Sequence, residues 1–193
     1  MRLLVSAAAV SWLIACQSPS APPEQASAPA AALPIPAVPA GPRLLHEAAA
    51  RRPFSSRTAP DQFRLQLRGD SVLTGTLHLS IVSAAGDTLL SERFPAQALL
   101  DYGLLQYGEH PTRAQREAYV RERMDQFFGP GQFRSPAIKP TEQYVARQSE
   151  RGVWEEVRQT GLPGFFYHLY EEDGRSLAYL PRRRKAVVFR TCC

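Results

Sequence analysis

The chain ends in "FRTCC", with Cys192 and Cys193 side by side and one other cysteine, Cys16, near the start. An adjacent pair can close on itself as a disulfide, straining the peptide between the two residues. Such a bond is more easily reduced than an ordinary one. The pair can instead cross-link two chains, bind a soft ion such as Cu(I) as thiolates, or remain an unbonded tail. A local disulfide between Cys192 and Cys193 is the first reading, and the others stay open.

Other chemistry is sparse. The four histidines, His46, His78, His110 and His168, are scattered singly. "HEAAA" begins like a zinc-protease helix, but Ala50 stands where the second histidine is needed. "GPGQFR" lacks the third glycine of a dinucleotide loop, and no serine sits in G-x-S-x-G. No metal, cofactor or catalytic residue is assigned. His168 shares a strand face with Phe166 and Tyr170, so its ring needs a hydrogen-bond partner, with Glu171, Glu172 and Asp173 as candidates.

Elements must hold these residues. "FRLQLRGDSVLTGTLHLSIVSAAGDTLLSERF" alternates apolar and polar residues, as half-buried strands do, with turn residues at Gly69-Asp70 and Gly86-Asp87. The period then changes. Val120, Met124, Phe127 and Phe128 recur at helical spacing behind a Thr112–Gln115 capping box, and Gly129-Pro130-Gly131 ends the helix. Glu117 and Arg121, four apart, are an expected supporting pair. A shorter helix buries Val153, Trp154 and Val157 and ends at Gly161. Three strands close the chain, at about 165–171, 175–180 and 186–191, with Asp173-Gly174 as a hairpin turn. The class is α+β: an antiparallel sheet from N-terminal and C-terminal strand meanders, with two helices packed on one face.

The start of the chain reads differently. Arg2 precedes a run of about 12 uncharged, mostly apolar residues from Leu3 to Ile14, well short of the roughly 20 that span a bilayer. That is the make-up of a secretory signal. Leu13-Ile14-Ala15-Cys16 resembles the lipobox of bacterial lipoproteins. The resemblance covers residues 1–16 only. It implies that the signal peptide, 1–15, is removed and that Cys16 carries the lipid, a firm anchor where two or three acyl chains act together. Gln17, where an aspartate would imply the inner membrane, points by analogy to a periplasm-facing protein on the outer membrane. Cys192 and Cys193 would then sit in an oxidising compartment.

Residues 16–58 are expected to form a Pro/Ala-rich tether; many of the 17 prolines fall between Cys16 and Pro42, a stretch that reaches at most roughly 80 Å when extended at ~3.1 Å per residue. "LLHEAAARR" at 44–52 is expected to add a short helix. Residues 59–193 form a single domain, long enough for a core without staples.

The net charge of +5 and pI of about 9.4 suggest an anionic partner. Yet there are two lysines, no asparagine and abundant arginine, a composition that follows from GC-rich codons, and an exported protein meets no nucleic acid. The densest charge, Arg182, Arg183, Arg184 and Lys185, is a solvated turn that could touch an anionic surface. The sequence therefore points to a lipid-anchored envelope protein. Its domain binds or scaffolds an envelope protein or cell-wall polymer, with no catalysis evident. The alternatives are a small periplasmic hydrolase with an unrecognised site and a periplasmic inhibitor of a cell-wall-attacking enzyme.

Overall fold

Alternation along the first meander fixes one face of a sheet. Phe63, Leu65 and Leu67 point one way on β2 (Pro60–Arg68), and Leu77, Leu79 and Ile81 oppose them in register on β3 (Thr76–Val82). All six are fully buried. The structure, a computed structural model, describes residues 41–192. The described residues are α+β, with two antiparallel sheets of four strands each. The first runs β1 (Leu44–Pro53), β2, β3, β4 (Thr88–Pro95). The second runs β5 (Phe133–Arg134), β6 (Gly164–Leu169), β7 (Asp173–Leu180), β8 (Lys185–Cys192).

Two cores hold these layers. The larger joins the inward residues of β2 and β3 to Phe165, Tyr167 and Leu169 of β6 and to Val120 and Met124 of α1 (Arg113–Gln126), followed by Phe127 and Phe128. The smaller lies on the opposite face of the second sheet. There α2 (Arg151–Thr160) sets Val153, Trp154 and Val157 against Ala178, Leu180 and Phe189. The capping box of α1 is reciprocal: Thr112 Oγ1 accepts from the Gln115 N–H, and Gln115 Oε1 accepts from the Thr112 N–H. Gly161 ends α2 in the left-handed conformation that a Cβ disfavours.

Polar ties cross the larger core. Glu92 on β4 accepts from the Tyr167 hydroxyl at 2.6 Å and from Arg175 Nη1 at 2.9 Å, which pins one sheet to the other. Burial, then the Glu92 hydrogen bond, pushes the Tyr167 phenol well above its ordinary value, so it stays a donor.

Three expectations need correction. The segment 44–52 is not a helix but most of β1, paired from Leu44↔Arg68 to Pro53↔Pro60. The paired strands therefore begin before the expected boundary at 59. Alanine's helix propensity loses to a ladder along the whole edge of β2. Glu117 pairs with Arg113 at 2.9 Å, while Arg121 reaches only the Glu117 carbonyl. The hairpin turn is Tyr170–Glu172, not Asp173-Gly174, which already belong to β7.

Candidate binding groove

Gly174 explains why that dipeptide is not the turn. It pairs with His168 on β6 and with Cys192 on β8, so the three residues form one row across the second sheet. A Cβ on Gly174 would lie 2.8 Å from Cys192 Sγ and 2.9 Å from His168 Nε2. Glycine here lets the Cys192 and His168 side chains both lie close over bare backbone. Asp173 is held by Arg175, through Nε at 3.0 Å and Nη2 at 2.7 Å.

The neighbouring row is Phe166–Ser176–Arg190. Both rows share the face on which α2 packs, yet they lie beyond the residues α2 covers. The loop after β5 forms the opposite wall, tied down where the Thr191 N–H donates to the Gln148 carbonyl at 2.9 Å. A cleft of about 530 Å³ remains, lined by Arg134, Gln148, Phe166, Ser176, Arg190 and Cys192 among others. That size suits a small ligand or one residue of a larger one.

Its two cations are fixed from behind. The Arg190 guanidinium lies 4.8 Å from the centre of the Trp154 ring, a stacked arrangement that costs little hydration. Arg134 and Arg190 approach the same Glu142 oxygen, at 2.5 and 3.6 Å. Burial alone would raise the Glu142 carboxyl. The Lys139 N–H and the two guanidinium groups outweigh it and hold the group below the ordinary carboxylate value.

A second, wider cleft of about 1210 Å³ adjoins the first and shares Gln148 and Cys192 with it. Tyr102, Tyr170, Glu171, Glu172, Asp173 and Arg147 line it. Tyr170 has φ 55°, a left-handed backbone that bulky residues rarely adopt. Its N–H donates to the Ala98 carbonyl at 2.5 Å, and its side chain remains half exposed. Tyr102 is also exposed. The Glu171 carboxylate, hydrogen-bonded to the Tyr102 hydroxyl, raises that phenol above its ordinary value. The groove formed by the two clefts is acidic and aromatic at one end and cationic at the other.

Of the residues singled out in the sequence, Cys192 sits at the junction of the two clefts, while Cys16 and Cys193 lie outside the described residues. Arg182, Arg183 and Arg184 form the exposed turn between β7 and β8, and Lys185 opens β8. Arg183 pairs with Glu156 at 3.1 Å and Arg184 with Asp87 at 3.5 Å. The histidines stay apart. His46 bonds Asp125, His78 bonds Ser91, and His168 stands edge-on to Phe166 at 4.6 Å. Arg134, Glu142, Gln148, Arg190, Tyr102 and Tyr170 were not singled out as binding residues. Arg134, Glu142 and Gln148 come from an aperiodic stretch around a two-residue strand, so no spacing marks them. "YEED" at 170–173 did carry a signal, as acids beside an aromatic strand.

Among the described residues, no group of three or more His, Cys, Asp or Glu could hold a metal ion, and no helix is long and apolar enough to cross a membrane. No protein-family model, curated protein or solved structure matches the chain.

Proposed function

We propose that the protein is an envelope lipoprotein, held to the outer membrane on its periplasmic side through lipid on Cys16, whose domain binds an envelope component in the groove. The confluence of the two clefts at Gln148 and Cys192 carries this reading. A groove with outward aromatic rings at one end and restrained guanidinium groups at the other offers separate contacts to different parts of one extended partner. A cell-wall polymer, with sugars and charged peptide groups along one chain, has that character. A projecting segment of an envelope protein is the other candidate.

The turn at Arg182–Lys185 fits an auxiliary contact with an anionic surface. Its two ion pairs are exposed, and such pairs contribute at most about 1 kcal/mol, so the guanidinium groups can exchange partners cheaply. The residues before β1 serve as the spacer that lifts the groove off the membrane.

The anchor is tested by expressing the wild type and Cys16→Ser in a bacterial host fed labelled fatty acid. The wild type is expected to take up label and enter the detergent phase. Cys16→Ser is expected to be unlabelled and to remain soluble or uncleaved. If the variant partitions into detergent as the wild type does, Cys16 is not the anchor.

A further inference from the structure

We propose that the narrow cleft is a carboxylate subsite, which takes the free C-terminal carboxylate of a short peptide whose last side chain is small or apolar. The inference rests on the binding role proposed above and names the chemistry that one end of the groove reads.

Four observations carry it. Among the described residues lining this cleft, Arg134 and Arg190 are the charged ones, and their partner Glu142 is not part of the lining. Each guanidinium has five N–H donors in a planar fork. Glu142 engages each through one oxygen, which leaves donors for a second anion. The Glu142 contact also displays the preference in the molecule itself, since a planar carboxylate is what the pair already holds. The polar lining is completed by the Gln132 and Gln148 amides and the Ser176 hydroxyl, all able to donate. The apolar part, Ala137, Phe165, Phe166 and Phe189, gives a small side chain a dry wall.

Enclosure is the fourth observation, and it argues against a flat contact with a surface. Arg190 is held over Trp154 and its side chain is only 22% exposed. A ligand must therefore enter the cleft to reach it, which suits a chain end better than a broad anionic plane. Beyond the shared wall of Gln148 and Cys192, the wide cleft carries Glu171, Glu172 and Asp173 against a single arginine, Arg147. A peptide bound by its carboxylate would run toward those acids, so a basic residue upstream should strengthen binding.

The full chain, purified in detergent, is titrated with N-acetyl-leucyl-alanine as the free acid, with its C-terminal amide, and with inorganic phosphate. The free acid is expected to bind at least tenfold more tightly than the amide and to displace phosphate. Arg134→Gln and Arg190→Met should each weaken the free acid at least tenfold and leave the amide unchanged. Because Arg190→Met could disturb the packing on Trp154, Gly131→Trp serves as a second variant. Gly131 lines the cleft, and a Cβ there meets nothing within 4 Å, so a bulky ring at its edge is accommodated without moving backbone and is meant to obstruct the cleft. It should abolish binding with an unchanged melting temperature.

Equal binding of acid and amide, binding that survives Gly131→Trp, or no binding of the acid overturns the proposal. Phosphate binding as tightly as the acid also overturns it, in favour of a non-selective anion site. Should the acid bind purified protein while no envelope component is captured in cells, the carboxylate subsite stands and the envelope role falls. The reverse outcome removes the subsite alone.

Discussion

Phe63→Ala is expected to leave little folded protein at 37 °C. Phe63 is fully buried, and its ring meets Phe54, Phe128, Phe133 and Phe165 at 5.0 to 5.8 Å between centres, all four edge-on. These four come from the loop after β1, the turn that follows α1, β5 and β6, so one side chain joins the first sheet to these other parts of the larger core. Truncating a buried phenylalanine costs about 3–5 kcal/mol. Loss of several aromatic pairs places this site at the upper end of that range. A domain stable by about 5–15 kcal/mol keeps little in reserve after that. Phe63→Leu, which keeps most of the volume, should cost about 1–2 kcal/mol. Urea denaturation of both variants checks the order. A Phe63→Ala midpoint within experimental error of wild type would mean that the two sheets do not share this core.

Asp61→Ala should be the second most damaging change. Asp61 is the buried charged residue of the core, with no exposed surface. Its Oδ2 accepts from the Ser55 N–H at 2.5 Å, and its Oδ1 accepts from the Ser55 hydroxyl at 2.9 Å and the Ala84 N–H at 3.0 Å. The carboxylate thus ties the β1–β2 connection to the β3–β4 connection. Removing it strands three donors, each costing about 1–3 kcal/mol when buried without a partner. Relaxation and water entry will recover part of that, so a loss of about 3 kcal/mol or more is expected. Asp61→Asn keeps one acceptor oxygen but turns an N–H₂ toward a donor, so it should fall between alanine and wild type. If asparagine proves as harmful as alanine, charge rather than hydrogen-bond geometry carries the site. If neither variant melts lower, the assigned bonds are wrong.

Asp61 also shows where sequence reading stops. Nothing in "TAPDQF" separates it from an ordinary loop acid, because its donors come from Ser55 and from Ala84, across two turns. The same limit applies to the groove. Arg134 and Glu142 are eight residues apart in a stretch with no period, and Arg190 joins them through strand register and a bulge between Ser176 and Leu177. What could be read was local. The alternation in β2 and β3, the Thr112–Gln115 box and the Gly161 stop all depend on residues near each other in the chain, and all three appear in the structure. β1 was missed because its inward positions include Ala48 and Ala50, which pack on the core but are too small to announce a strand. The Asp173-Gly174 signal was real chemistry read in the wrong place. The glycine leaves room for the His168 and Cys192 side chains over its backbone, and the turn falls on Tyr170, strained in a conformation that an Asn or Gly would adopt more easily.

The central claim is that the groove engages an envelope component, and photo-crosslinking in intact cells tests it most directly. A photoreactive residue is placed at Tyr170 or Tyr102, both exposed at the wide cleft, and as a control at Leu44, exposed on β1. Adducts of discrete higher mass, recovered with the envelope, are expected from Tyr170 and Tyr102 and not from Leu44, and Gly131→Trp should reduce them. Adducts from Leu44 with none from either tyrosine would contradict the account, because the partner would then dock on a different face.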